Sequence, residues 1–452
     1  MPAFKLDEVF WFEGKSIKKI AVIGASLGGL VAAAALRERG FEITIFERSN
    51  TIGGLYGKIK TPFGIHELGM HVLYAGGDQF RHLINIFGAD SFDLLEGYKV
   101  DIGASYNFGQ LSTDSIYPDL RDHPSREIIL AEILSGGRPA PPKNAHEAFT
   151  SRFGYEAGDR VATPIIEKLW KTSASELSPE AIHCFYDLRR IILCDKDQAD
   201  ELKKNQRLDL IIGNPKQSAP SGQVFGGRCG LLFRSKVDPF AEQVQIWLKD
   251  QGITIEYGAA VAVQDRELVL NGEPMSATFD GCIVTTPIGG LAPHMAEKLD
   301  LLELSVFYVR LAASVAETLP AYYVLCHSSD LAISRIVNYD TYHNTDKGIL
   351  AVEVIHTVGT SPTNDEIIRE IHRVIPRSSV EEVYRLPKTL GVAVPSLRNG
   401  RMLDAIVDGL EKSFEAGSLF FAGMRTDKGL FFSHQTMGAA HDAALECARR
   451  LS

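Results

Sequence analysis

"KKIAVIGASLGGLVAAAALRERGFEITIFER", residues 18–48, is the stretch on which the fold turns. Ile20 to Ile23 form an apolar, β-branched run of the kind a buried parallel strand requires. The chain then passes through Gly24-Ala25-Ser26 into an alanine-rich run that predicts a helix over Leu27–Arg39, closed by Gly40. Glu42 to Phe46 reads as a second strand, ending at Glu47. Gly24, Ser26 and Gly29 occupy the positions of a G-x-G-x-x-G turn, with serine at the middle glycine, and Gly28 precedes the last. Such a strand–turn–helix–strand unit, with an acid about 20 residues past the first glycine, binds a dinucleotide. The pyrophosphate lies on the free amides of the helix N-terminus, and the acid grips a ribose hydroxyl. Glu47, as an acid, argues against a 2′-phosphate on that ribose. The charge-free run over residues 20–36 is shorter than the ~20 residues of a membrane span and is broken by glycines.

Composition sets outer bounds. At 452 residues the chain is too long for one compact core and predicts two domains. Its 45% hydrophobic and 23% charged content is ordinary for a globular protein. A net charge of −10 disfavours nucleic acid and anionic membrane surfaces as partners and says little about the substrate, because a local basic pocket can coexist with an acidic surface. The six cysteines, at 184, 194, 229, 282, 326 and 447, form no C-x-x-C and no ligand-like cluster. They read as buried free thiols of a reducing compartment, and no metal site is expected. The opening "MPAFKLDEVFWFEGKSIKK" has no apolar signal core, so the expected location is cytoplasmic; the sequence leaves the oligomeric state open.

Just past Glu47 comes "RSNTIGGLYGKIKTPFGIHELGMHVLY", residues 48–74. Flavoproteins of the glutathione-reductase type place a basic residue and a Gly-Gly pair here, and Arg48, Gly53, Gly54 and Leu55 resemble that segment. A second flavin-type signature lies about 400 residues downstream, in "GSLFFAGMRTDKGLFFSHQTMGAAHDAALECARR". A short strand (residues 419–422) meets Gly423, and a helix is predicted from about Gln435, with Thr436 and Met437 in its first turn. Its N-terminal amides would face the edge of a flavin ring, where negative charge collects on reduction. A nicotinamide enzyme needs no such second turn, so the expected cofactor is FAD.

The chain resembles the UDP-galactopyranose mutase and protoporphyrinogen-oxidase-like branch of the amine-oxidase flavoproteins. "GASLGG" and "ERSNTIGG" resemble the FAD entry, and "GMHVLY" the segment that lays Gly69, Met70 and His71 against the flavin. "YEAGDRVATPIIEKLWKTSASELSPE" resembles a helical substrate-domain segment, "SRIVNYDTYH" the strand facing the sugar nucleotide, and "FFSHQTMGAA" the terminal flavin helix. The resemblance implies an α/β protein (α+β overall) with a Rossmann-like FAD domain of the glutathione-reductase type. Residues 16–100, 221–290 and 401–452 would build that domain, and 101–220 with 291–400 a mixed helical and antiparallel-sheet substrate domain. Within the FAD domain an amphipathic helix is predicted over 237–250, a strand over 253–257 and a buried strand in "CIVTTPI", with Val261 near the adenine.

The implied function is that of an FAD-dependent oxidoreductase acting on a polar small molecule, with a nucleotide-linked sugar as the candidate substrate. Two alternatives stand beside it: a sugar mutase that uses reduced FAD without net redox change, and a flavin-binding protein that has lost catalysis. His71 and His434 are implied at the flavin, while Arg335, Tyr339, Tyr342 and Arg425 stand in for the arginines and tyrosines that hold a nucleotide-sugar diphosphate in the mutases. An arginine fork grips a phosphate bidentately. Removing such an Arg335 would weaken substrate binding and leave stability nearly unchanged, whereas the plain alternative is a surface ion pair. Trp170, Tyr322 and Tyr323 read either as stacking surfaces or as core. The sequence departs from the mutases at Leu430–Ser433, where those carry a Tyr-Asp pair, and at Met424, where they carry Asp.

Overall fold

The computed structural model describes residues 17–69, 72–75, 78–95, 103–136, 140–215, 229–233, 240–264, 267–275, 278–387, 389–413 and 419–452. Strand β1 (Lys19–Ile23), helix α1 (Leu27–Arg37) and strand β2 (Glu42–Glu47) form the expected unit. They join β3 (Thr254–Tyr257), β4 (Gly281–Val284) and β5 (Leu419–Phe421) in a five-stranded parallel sheet ordered β3-β2-β1-β4-β5. All of Ile20–Ile23 and all of Gly281–Val284 are buried, as strands covered on both faces must be. Helix α1 and the C-terminal helix α2 (Ser433–Leu451) share one apolar core on this sheet, with Leu30, Val31, Ala34, Met437, Ala440 and Ala444 among its members.

The second sheet has eight strands. In order these are 380–385, 301–311, 349–357, 335–338, 323–326, 103–107 and 110–112, with 390–393 added beside 301–311. Its pairings are antiparallel except for 323–326 beside 103–107. Side chains alternate between its faces with the period of two that a strand imposes. Tyr308 and Val337 point to a core shared with the helices of residues 126–212, which Tyr339 of the short helix Tyr339–His343 also joins. Phe307, Val309 and Ile336 point to a core closed by helix Asn364–Val374.

The fold class is therefore the α/β arrangement expected, with a mixed sheet beside a Rossmann-like one. Element ends differ by a few residues. Helix α1 stops at Arg37, and α2 begins at Ser433 rather than Gln435. Strand β4 ends at Val284, because Pro287 caps a short helix over Ile288–Leu291. The predicted helix over 237–250 is described over Phe240–Gln251. Five of the six cysteines (184, 194, 282, 326 and 447) are buried and unpaired. Among the described residues no helix is long and apolar enough to cross a membrane.

Candidate functional site

The glycine turn is held from three sides. The Gly24 amide donates to the Phe46 carbonyl at 2.8 Å, and the Gly53 amide to the Ala25 carbonyl at 3.0 Å. The Thr285 hydroxyl donates to the Ile23 carbonyl at 3.0 Å, so β4 braces the turn from behind. A Cβ on Gly29 would stand 1.9 Å from the Gly24 carbonyl oxygen, so no other residue fits there without moving the turn. Gly28 faces α2, where a Cβ would meet Thr436 O at 3.6 Å and Ala440 Cβ at 3.5 Å. It belongs to the contact between α1 and α2. Ser26 is the N-cap of α1 and makes no side-chain capping bond. Its Cβ is backed by Gly54, where an added Cβ would lie 3.3 Å away. The serine in place of the middle glycine is thus accommodated by the Gly-Gly pair.

Glu47 ends β2 beside this turn. One carboxylate oxygen accepts from the Ala25 amide at 2.9 Å, the other from the Ser49 amide and hydroxyl, both at 2.8 Å. A carboxylate offers about four acceptor positions, so capacity remains for a ribose hydroxyl. Arg48 and Leu55 are exposed nearby, and Val261 is buried at the start of strand Val261–Gln264. Gly423 closes onto the segment just past β4, where a Cβ would stand 2.3 Å from Thr286 O. The first turn of α2 is fixed by Gln435, whose side-chain oxygen accepts from the Phe431 and Phe432 amides at 3.0 and 2.8 Å. Tyr56 donates to Ser433 Oγ at 2.8 Å, and His434 stacks on Phe432 at 6.0 Å. Met437 is a core residue. The amino termini of α1 and α2 thus meet at Gly28 and Thr436, presenting two positive dipole ends together.

On the other side stands a layer of charged and aromatic groups from the large sheet. Arg335 Nη2 donates to both oxygens of Glu353 at 2.9 and 2.7 Å, and Glu353 is 2% exposed. The guanidinium lies 4.9 Å from the centre of the Phe185 ring, and Arg335 Nε is buried without a partner. Phe185 adopts φ +63, a costly conformation for a bulky residue. Its ring leads at 6.0 Å to Phe431, which leads at 5.4 Å to Phe432 at the start of α2. Gly69 rests on the ion pair. It has φ +82, and a Cβ would lie 2.5 Å from Glu353 Oε1 and 3.8 Å from Arg335 Nη2. Met70 and His71, which follow it, lie outside the described residues.

A second cluster anchors the same segment. Tyr308 and Tyr339 both donate to the Glu67 carbonyl at 2.7 Å, and Tyr339 also reaches the Gly69 carbonyl at 3.1 Å. His66 stacks against both tyrosines, at 5.4 and 5.5 Å. His343 stacks on Tyr339 and brings Nε2 to 3.6 Å from Glu67 Oε2. Burial raises the Glu67 carboxyl to about 7 against a small opposing pull from Lys58. Burial first, then His66, Lys58 and Lys347, lower His343 to about 4.

The structure corrects several expectations. Arg425 is buried rather than open to a pocket, with Nη2 donating to Asp404 at 2.7 Å and to Asp427 at 2.6 Å. Arg335 is neither a surface ion pair nor an unpaired phosphate fork, because Glu353 occupies it. Tyr339 spends its hydroxyl on backbone carbonyls, and Tyr342 is buried against Tyr322 and His343. Trp170, Tyr322 and Tyr323 are core. The reading of single motifs missed Glu67, Glu353, Phe185 and Lys168. Lys168 is buried with Nζ donating to the Cys326 and Ile333 carbonyls, and burial lowers it to about 8. Only Glu353 left a signal: an acid inside the apolar strand "ILAVEVIHT" demands a buried partner.

Comparison with known proteins adds the following. Residues 22–89 match the NAD(P)-binding Rossmann-like domain family. A 4,4'-diapophytoene desaturase (4,4'-diaponeurosporene-forming) of Staphylococcus aureus strain MRSA252 is 35% identical over 78 residues, which cover 17% of this chain and 15% of that relative. Whole-chain likeness appears among solved structures. Reduced UDP-galactopyranose mutase aligns over 94% of both chains with a TM-score of 0.65 and 15% identity. A putative protoporphyrinogen oxidase from Exiguobacterium sp. 255-15 aligns over 96% of this chain and all of the other, with TM-score 0.63 and 14% identity. The chain therefore shares the fold of these two structures over nearly its whole length. Sequence likeness to the curated relative is confined to those 78 residues, so the chain matches only a small part of that relative's length.

Proposed function

We propose that this chain is an FAD-dependent oxidoreductase. The observation that carries the reading is the meeting of two helix amino termini at Gly28 and Thr436, with Glu47 at the end of β2. The residues fit the cofactor. The Gly24–Gly29 turn and the first amides of α1 would hold the pyrophosphate, Glu47 the ribose, and Gly423 with the first turn of α2 the anionic edge of the ring. Arg48, Gly53, Gly54 and Leu55 would line its entry and Val261 the adenine end. When bound, FAD supplies two-electron chemistry, and the chain supplies position and electrostatics. Residues 16–100, 221–290 and 401–452 would form the FAD domain, with 101–220 and 291–400 as the substrate domain. Gly69, held by Tyr339 and the Arg335–Glu353 pair, would lie on the flavin side of the large sheet.

The sugar-mutase reading is weaker, because both arginines assigned to a diphosphate are neutralised by carboxylates. The test is to purify the protein, denature it and chromatograph what is released. FAD in near-stoichiometric amount supports the reading. Its absence, even after incubation with added FAD, removes it. Anaerobic bleaching of the flavin by a substrate panel then separates an oxidoreductase from a carrier.

A further inference from the structure

We propose that Glu353 sets the charge selectivity of the substrate side, by keeping Arg335 neutralised so that the site takes an uncharged substrate and excludes diphosphates. The flavin reading above gives this site its location, while the argument stands on the ion pair itself. Arg335 gives Nη2 to both oxygens of a carboxylate that is 2% exposed. Drawing the guanidinium toward a phosphate would leave Glu353 a buried, uncompensated charge, the arrangement proteins tolerate least. The pair cannot slide aside easily. Gly69 presses on Glu353 from one side, with room for no Cβ. On another side the Phe185 ring lies beneath the guanidinium, held there by a backbone in the left-handed region.

The neighbouring groups carry the same message. Phe185, Phe431 and Phe432 continue from the guanidinium to the start of α2 as an aromatic surface, and the two phenylalanines of that surface nearest α2 are half-buried. Such rings accept a planar or apolar group and offer a phosphate nothing. Arg425, the other expected phosphate ligand, is closed by Asp404 and Asp427, and Lys168 by two backbone carbonyls. The donors left at the pair are those of Arg335 Nη1 and the buried Nε–H, on a guanidinium whose charge Glu353 already balances, so Nη1 suits a neutral acceptor such as a carbonyl or hydroxyl oxygen.

The experiment is calorimetric titration of the purified protein with UDP and with inorganic pyrophosphate. Wild type is expected to show no saturable binding into the millimolar range. Glu353→Gln keeps the shape of the side chain and exposes the cation, so at least a tenfold gain in affinity for either probe is expected. Arg335→Met/Glu353→Gln, which removes both charges, should fold and lose that gain. Wild-type binding of UDP that disappears in Arg335→Met/Glu353→Gln overturns the proposal, since the arginine would then take phosphate in spite of Glu353. A Glu353→Gln protein that is folded by circular dichroism yet binds no better also overturns it. Binding heats are read on protein saturated with FAD, so that the glycine turn is filled, and FAD content is measured on the same samples. Loss of the flavin reading is therefore visible separately.

Discussion

The two sheets solve their polar problems in opposite ways. Around the parallel sheet the work falls to the backbone: the amides of Gly24 and Gly53 and the carbonyls of Phe46, Ala25 and Gly24 build the turn, with little side-chain chemistry beyond Glu47 and Thr285. Around the large sheet it falls to side chains: Arg335 with Glu353, Tyr308 and Tyr339 on one carbonyl, His343 near Glu67, Lys168 on two carbonyls. A backbone site depends on which residues are absent, so its failures come from adding atoms. A side-chain site depends on compensation, so its failures come from removing one member of a set.

The largest effect is expected where the backbone has no spare room. Gly29→Val would drive a side chain into the Gly24 carbonyl, 1.9 Å from the Cβ position, and displace the turn from β1. The outcome should be complete loss of flavin retention, with a stability loss in the range of ~4 kcal/mol or more that only such overpacking and strain produce. Stoichiometric FAD in that variant, together with an unchanged thermal midpoint, would show that the turn is not where the cofactor is held.

Next is the compensated pair. Arg335→Ala should cost about 3–5 kcal/mol by leaving Glu353 buried and unpaired, whereas Arg335→Met/Glu353→Gln should cost far less. This reverses the sequence-based expectation that Arg335 could be removed with little effect on stability. Urea denaturation of both variants decides it. Equal midpoints would mean that the pair is not buried in solution.

That reversal marks where sequence reasoning stops. The Rossmann-like unit, its acid and its fold class were legible because backbone constraints leave residue-type fingerprints: Gly29 where nothing else fits, alanines where α1 is buried on every side. The existence of α2 was legible for the same reason. The partners of the large sheet were not. Glu67 meets Tyr308 across 241 residues, and Arg335 meets Glu353 only through the register of adjacent antiparallel strands. An arginine in "SRIVNYD" looks the same whether a phosphate or a carboxylate faces it, and only the register says which.

The Glu67–His343 pair yields a subtler test, because its two members carry opposite pH slopes. Glu67 is raised to about 7 in the folded chain. Its contribution is fully present below its ordinary pKa of 4.5 and is lost as pH rises toward 7. His343 is lowered to about 4, so its contribution is present above 6.5 and is lost as pH falls toward 4. Over the shared window the slopes oppose each other, and wild-type stability should be nearly flat. Glu67→Gln should uncover the histidine, with stability rising by on the order of 2 kcal/mol between pH 4 and 6.5. His343→Asn should uncover the acid, with stability falling by a similar amount, about 2 kcal/mol, between pH 4.5 and 7. Thermal midpoints across that range would refute the assignment if both variants tilt the same way.

The smallest effect should come from Ser26→Gly, and it probes the one place where the backbone site carries a side chain it does not need. Ser26 caps α1 without a side-chain bond, and its Cβ rests against the space left by Gly54. Glycine is nearly as good an N-cap, costing only a few tenths of a kcal/mol. The amides of the α1 amino terminus remain as they were, so phosphate contact through the backbone is untouched. Stability should therefore change by less than ~0.5 kcal/mol and FAD affinity by less than about threefold. A hydroxyl that donates to a charged phosphate oxygen would give a different result, since such bonds contribute about 1.5–3 kcal/mol. Titration of the apoprotein with FAD separates the two cases. A loss of affinity beyond about tenfold would mean that the serine has taken over the function of the glycine it replaces, and that the turn binds phosphate through a side chain after all.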